Sequence, residues 1–174
     1  SRRPMKTLLL LRHAKSDWKD YTLADFDRPL APRGRAAAPR VAAWIRDHDL
    51  VPDRVLCSAA RRTSETWERM VPELGEVPVV HRRALYHASM QAILKQLVKQ
   101  DDEANTVAVV GHNPGIAEFA WRYSVFGNEK KMARMRRKYP TGALAVLSFK
   151  IDRWADLPGT SGTLEYYVRP KQLK

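Results

Sequence analysis

Short apolar runs alternate along the chain with longer segments in which apolar side chains recur every three or four positions. The runs are continuously apolar, which is typical of strands buried on both faces of a parallel sheet. The longer segments are typical of helices that pack by one face. The pattern predicts strands at 7–11, 54–57, 77–80 and 106–110, helices at 33–48, 60–70 and 90–98, and two final strands at 143–151 and 163–168 joined by a turn-rich segment at 156–162. This order favours a three-layer α/β/α fold with a mostly parallel central sheet.

Length and composition predict a single globular domain over residues 1–174. A chain of this length with 44% hydrophobic and 29% charged side chains suits one hydrophobic core. We expect residues 1–5 to be disordered or partly artificial, with a natural start at Met5. The first apolar run stops at Arg12, too early for a secretory signal peptide, and no stretch approaches the ~20 apolar residues of a membrane span. The single cysteine, Cys57, fits a reducing compartment, so we expect a cytoplasmic protein.

The net charge of +12 favours negatively charged ligands, namely phosphate groups, nucleic acid or acidic protein surfaces. The run 130–138 carries six of the positive charges. It predicts a solvated helix or loop with Met132 and Met135 as an apolar foot, or an electropositive rim that attracts an acidic phosphorylated protein. No zinc-finger, basic-zipper or RNA-recognition pattern accompanies the run, so a nucleic-acid-binding protein without catalysis is the least favoured interpretation.

Candidate chemistry lies directly after the predicted strands, where ligands bind in open α/β sheets. Arg12 and His13 follow the first strand, Arg62 lies just after the second, and His112 follows the fourth. Neutral imidazole is a nucleophile toward phosphorus, and guanidinium groups match phosphoryl oxygens with paired donors. Two histidines and two arginines on one rim therefore predict a phosphoryl-transfer site that needs no metal and no cofactor.

Four segments in this order resemble the histidine phosphatase superfamily, which has a phosphoglycerate-mutase-like fold, and most closely its small SixA-type phosphohistidine phosphatases. The segments are Arg12-His13-Ala14-Lys15-Ser16, then 25–30 with Arg33-Gly34, then Ser58 with Arg62-Thr63-x-Glu65-Thr66, and finally Val110-Gly111-His112-Asn113-Pro114. The resemblance implies that His13 is the nucleophile that becomes phosphorylated, with the phosphoryl group bound by Arg12, Arg62 and His112. It further implies substrate contacts from Arg28, Ser16, Asp25 and Asn113.

Two arginines near these motifs have alternative roles. Arg28 either contacts the substrate or pairs with Asp25 or Asp27 in a turn, and both possibilities stay open. Arg61 is expected to point to solvent. The charges of Arg12 and Arg62 are expected to lower the pKa of the His13 imidazole, which would keep it unprotonated near neutral pH.

A general acid is missing where larger members of the superfamily carry Glu or Asp, because the segment 81–88 after the third strand has no carboxylate. General acid catalysis is typically worth about 10²- to 10⁴-fold, and alkoxide leaving groups depend on it more than imidazole does. The sequence therefore favours phosphohistidine in a protein as substrate, with small phosphorylated metabolites or other phosphoesters as the alternative. His87 and Asp25 remain as alternative proton donors.

Cys57 raises a rival mechanism, that of the cysteine-dependent phosphatases, whose loop places five residues between the cysteine and an arginine. Only four residues separate Cys57 from Arg62. We therefore expect Cys57 to be a buried strand residue, the commonest position of a free cysteine.

Overall fold

A seven-stranded sheet forms the centre of the structure, a computed structural model that describes residues 5–174. Its strands are β1 (Lys6–Arg12), β2 (Arg54–Ser58), β3 (Val79–Arg82), β4 (Thr106–Gly111), β5 (Ser124–Gly127), β6 (Leu144–Phe149) and β7 (Gly162–Val168). Their order across the sheet is β3-β2-β4-β1-β6-β7-β5. Only β6 runs antiparallel to its neighbours. The expectation of disorder concerns residues 1–5, and of these the structure describes only Met5, which is exposed.

Helices cover both faces of this sheet. They are α1 (Pro32–Asp47), α2 (Arg61–Leu74), α3 (Met90–Leu97), α4 (Gly115–Tyr123) and α5 (Glu129–Arg137), with short 3-10 segments at Asp25–Asp27, Arg83–Leu85, Trp154–Gly159 and Pro170–Gln172. Helices α1 and α2 pack on one face, whereas α3, α4 and the buried side chain of α5 pack on the other. The predicted three-layer, mostly parallel fold is confirmed.

The side chains of β1 explain why its sequence is continuously apolar. Leu8 and Leu10 point into one core cluster, and Leu9 and Leu11 point into the other, each at most 2% exposed. Successive strand residues face opposite sides of a sheet, so a central strand covered by helices on both sides needs apolar residues throughout. This burial fixes the register of β1, and with it the position of the residues that follow Leu11.

The structure departs from the predicted elements in three places. Helix α2 continues past the predicted end at Met70 to Leu74, and β3 lies at 79–82 rather than 77–80. The segment 115–137, for which no definite elements were predicted, forms α4, β5 and α5. Within it Met135 is fully buried, as expected for the apolar foot of the basic run. No helix within residues 5–174 is long and apolar enough to cross a membrane.

Candidate active site

The two strands at the middle of the sheet bring both candidate histidines together. β1 and β4 are parallel neighbours, with Arg12 opposite Gly111, so His13 and His112 emerge side by side. Their ring centroids lie 5.4 Å apart. β2 ends beside β4, and Arg62 is therefore carried to the same rim in the first turn of α2. The residues surround a cavity of about 330 Å³.

His13 is held in one tautomer by a backbone hydrogen bond. Its Nδ1–H donates to the carbonyl oxygen of Ala14 at 2.7 Å, and because a carbonyl only accepts, the lone pair lies on Nε2. The Ala14 N–H in turn donates to Thr66 Oγ1 at 3.0 Å, which anchors this turn to α2. The His13 residue is only 6% exposed. The site thus presents an imidazole with a free Nε2 at the cavity.

Burial is the largest cause of a low pKa at His13, ahead of the positive charges that the sequence pointed to. Desolvation, with the charges of Arg62, Arg12 and Arg28, lowers the pKa of His13 to about 3, although the bond to the Ala14 carbonyl opposes the shift. The His13 imidazole is therefore neutral throughout the physiological range. A neutral imidazole is the form that can attack phosphorus.

Three guanidinium groups line the cavity with the histidines. Arg62 donates from Nη1 to the backbone oxygen of Asp25 at 2.8 Å and from Nη2 to its Oδ2 at 3.0 Å. Arg28 donates from Nε and Nη2 to Asp25 Oδ1 at 3.1 and 2.9 Å, and from Nη1 to Ser16 Oγ at 2.8 Å. Arg12 donates from Nη1 to the Tyr139 carbonyl at 3.0 Å. Arg28 pairs with Asp25, one of the two roles that the sequence left open for it, and it also lines the cavity, where contact with the substrate stays a prediction.

Asp25 is the carboxylate that orients this group of cations. Burial alone would raise the pKa of Asp25, but hydrogen bonds from Tyr86 and Arg28 and the charge of Arg62 hold its pKa well below the usual range. The Tyr86 hydroxyl donates to Asp25 Oδ2 at 2.5 Å. Asp25 is therefore ionised near neutral pH, which removes it as a proton donor. His87 Nε2 lies 2.9 Å from Arg62 Nη2 and 3.4 Å from Asp25 Oδ2, so the His87 ring borders the same group.

His112 is nearly buried and contacts the end of β2. Its Nε2 lies 2.8 Å from the hydroxyl oxygen of Ser58. Burial, followed by the neighbouring His13 and Arg62, lowers the pKa of His112, so this ring is also neutral near pH 7. Gly115 allows the close packing here, because a Cβ at that position would lie 1.9 Å from the carbonyl oxygen of Ala88. That approach brings the loop containing His87 against the His112 ring, at 5.0 Å between centroids.

The structure brings every candidate site residue to this one cavity: Arg12, His13, Ser16, Asp25, Arg28, Arg62, His112 and Asn113. Asn113 is fixed by its Nδ2, which donates to the Tyr139 carbonyl at 2.9 Å. Trp18 also lines the cavity, with its ring 3.4 Å from the guanidinium carbon of Arg28, although the residue is 67% exposed. Arg61 points to solvent as expected and pairs with Glu65 at 2.8 Å.

Sequence reasoning missed four residues that shape the site. Lys15 and Thr141 line the cavity, Tyr86 binds Asp25, and Thr66 anchors the turn after His13. Tyr86 lies shortly after β3, at the carboxyl end where ligands are expected, but only carboxylates were sought there. Thr66 belongs to the matched motif that contains Arg62. Nothing local in the sequence marks Thr141.

Cys57 lies away from the cavity, within the core cluster under α1 and α2. It is fully buried, and burial raises the pKa of its thiol to about 12. Only the thiolate is a nucleophile. The expectation of a structural cysteine is confirmed, and the cysteine-dependent mechanism is excluded.

Comparisons with known proteins show to which family this chain belongs. The sequence model of the histidine phosphatase superfamily (branch 1) matches residues 8–90. A solved structure, of a candidate SixA phosphohistidine phosphatase from Nakamurella multipartitia, is 30% identical, covers 98% of this chain and 99% of that one, and superposes with a TM-score of 0.86. The chain belongs to the histidine phosphatase superfamily.

Other relatives of this histidine phosphatase show that family membership does not decide the substrate. An uncharacterized protein of Mycobacterium tuberculosis is 35% identical over 162 residues, covering 91% of this chain and 99% of that protein. The mycobacterial glucosyl-3-phosphoglycerate phosphatase shares the fold at 15% identity, with a TM-score of 0.64 over 92% of this chain and 97% of its own. Family membership and the SixA-like fold support phosphatase activity, while the relatives differ in substrate.

Proposed function

We propose that this phosphatase hydrolyses phosphohistidine in a protein, through a phosphorylated His13 intermediate and without a metal ion. The observation that carries the proposal is a neutral His13 with its lone pair on Nε2, set among three guanidiniums in a cavity whose one carboxylate is ionised. The same donor set argues against a metal, because arginines repel a cation. A cytoplasmic location stays a prediction.

In the first step, the lone pair of His13 Nε2 attacks phosphorus and the bond from phosphorus to the substrate imidazole breaks. The bonding electrons return to the leaving nitrogen, and a substrate ring that carries a proton on its other nitrogen leaves as neutral imidazole. The phosphorylated His13 keeps its proton on Nδ1 and becomes cationic. The Ala14 carbonyl, which already accepts that proton at 2.7 Å, stabilises this charge.

In the second step, water attacks phosphorus, and the electrons of the broken bond return to His13 Nε2. Inorganic phosphate leaves, and the proton lost by water passes to the phosphate or to solvent. During both steps negative charge is spread over three equatorial oxygens. Arg12, Arg28 and Arg62 supply donors fixed before the reaction, which stabilises that charge with little reorganisation.

The ionised Asp25 supports an imidazole leaving group over an alkoxide. An alkoxide must be protonated as it departs, and Asp25, the carboxylate of the cavity, is ionised and holds no proton for it. Loss of a general acid costs about 10²- to 10⁴-fold for such substrates. We therefore expect phosphohistidine to be hydrolysed faster than phosphoserine or sugar phosphates.

A substrate panel tests the proposal. Phosphohistidine peptide, p-nitrophenyl phosphate, phosphoserine peptide and common phosphorylated metabolites are compared with and without EDTA. We expect phosphohistidine to exceed phosphoserine by about 10²-fold or more in kcat/KM, with no effect of EDTA. His13→Ala should abolish turnover, whereas His81→Ala, which removes an exposed histidine, should not. Equal or faster hydrolysis of a metabolite would assign the substrate to the small-molecule class instead.

A further inference from the structure

A second concavity of about 150 Å³ lies beside the active-site cavity and is strongly basic. We call it the basic pocket, and its lining residues are Lys15, Arg33, Ala37, Lys138, Pro140, Thr141, Arg169, Pro170 and Lys171. Five of the nine are Lys or Arg, and none is acidic. It combines segments far apart in the chain, namely the loop after β1, the start of α1, the α5–β6 connection and the C-terminal 3-10 segment.

None of these five cations forms an ion pair within residues 5–174, whereas Arg28, Arg46, Arg61, Arg62 and Arg153 each do. Like charges that converge without a carboxylate repel one another, and an anion placed between them relieves that repulsion. Arg33 lies in the first turn of α1, where the positive end of the helix dipole adds to the attraction. The charge of the basic pocket therefore fits a negatively charged ligand.

The basic pocket and the active-site cavity share Lys15 and Thr141 as a common wall. Gly142, just after this wall, donates its N–H to the His13 carbonyl at 2.8 Å. Its φ is +77°, and a Cβ there would lie 2.7 Å from Cγ of Pro170. One short segment thus contacts both the backbone of His13 and the C-terminal side of the basic pocket, so the pocket adjoins the active-site cavity.

We propose that the basic pocket binds Asp or Glu side chains of the substrate protein, close to its phosphohistidine. The inference rests on the proposed function and adds to it a preference for acidic flanking sequence. The positive charge does not stop at the pocket, because Lys138 continues into the exposed cations of α5. An extended acidic protein contacts both the basic pocket and the exposed cations of α5, whereas a small metabolite is too short to contact both. The lining has no aromatic side chain on which bases could stack, so it is poorly suited to single-stranded nucleic acid.

Two matched phosphohistidine peptides test the proposal, one with glutamates and one with glutamines around the phosphohistidine. The wild-type protein is compared with a double variant, Arg33→Gln with Lys171→Gln. The control is Lys99→Gln, which removes an exposed charge just after α3 from a residue that does not line the pocket. We expect the wild type to prefer the glutamate peptide by about 10-fold in kcat/KM at low salt, and less at high salt. The double variant should lose most of this preference and keep its turnover of p-nitrophenyl phosphate, while Lys99→Gln should resemble the wild type.

The outcomes separate this inference from the proposed function. Hydrolysis of both peptides at equal kcat/KM would overturn the pocket's role and leave the phosphohistidine activity standing. If neither peptide is hydrolysed, the proposed function fails, and binding of the unphosphorylated peptides, followed by fluorescence anisotropy, decides the pocket alone. Weaker binding of the glutamate peptide to the double variant than to the wild type would support it. Tighter binding of single-stranded DNA than of the glutamate peptide, lost in the double variant, would overturn it.

Discussion

Asp25 contacts two buried guanidiniums at once. Replacing it with asparagine keeps both cations but removes the charge that orients them. Asp25→Asn removes the charge that pairs with Arg28 and Arg62, whose side chains are only 7% and 3% exposed. Removing one partner of a buried ion pair costs roughly 3–5 kcal/mol. The Asp25 side chain is 38% exposed, so solvent screening reduces the cost to about 1–3 kcal/mol. For a domain of this size we expect Tm to fall by about 2–12 °C.

The same variant should lower kcat by about 10- to 100-fold, because misplaced donors no longer match the transition state. The loss should fall on kcat more than on KM, since removal of a negative charge also reduces repulsion of the phosphate. Differential scanning calorimetry and steady-state kinetics with p-nitrophenyl phosphate measure both effects. Asp27→Asn, which removes an exposed charge from the same 3-10 segment, is the matched control and should change neither. Wild-type Tm and kcat in Asp25→Asn would refute the orienting role.

Further predictions concern three buried residues of the site and core. Thr66→Val leaves the Ala14 N–H without its acceptor, so we expect a loss of about 1–3 kcal/mol in urea unfolding and a lower kcat, with the partly exposed Thr160→Val unchanged as control. Cys57→Ser should keep the wild-type kcat/KM. In the folded wild type, the Cys57 thiol should resist alkylation by iodoacetamide at pH 8, because its raised pKa leaves little thiolate. Rapid alkylation of the folded protein would contradict this. In NMR titration His13 should remain the neutral Nδ1–H tautomer from pH 8 to 5, because its pKa is about 3, and a midpoint near 6.5 would contradict the assignment. Since the unfolded chain binds this proton below about pH 6.5 and the folded chain does not, His13 should also make stability fall as pH drops from about 6.5 toward 3.

The rim of the active site could be predicted from the sequence because it depends on short-range signals. The apolar run before Arg12 and the one before Gly111 mark two strands, and parallel strands end on the same edge of a sheet. Once β1 and β4 are neighbours, as the register shows, His13 and His112 must lie side by side. Their shared position follows from strand ends alone, without knowledge of any side-chain contact.

The contacts that hold the rim could not be predicted, because they join residues distant in sequence. The Tyr86 hydroxyl reaches Asp25 across 61 positions, and the Arg12 guanidinium reaches the Tyr139 carbonyl across 127. Helix α4 was missed because it is only nine residues long and its polar face consists of two exposed residues, Glu118 and Arg122, which is too little to define a helical period. The basic pocket could not be predicted from the sequence either, because its cations are distant in sequence and come together only in the fold, where Lys171 lies near the start of α1.

The most direct test of the account is to trap and map the phosphorylated enzyme. The protein is mixed rapidly with phosphohistidine peptide, quenched in alkali, digested and analysed by tandem mass spectrometry. We predict a phosphoryl group on His13 that appears before inorganic phosphate and is absent in His13→Gln. A phosphoryl group on another residue, or phosphate release by the wild type with none on His13 at any time, would contradict the mechanism.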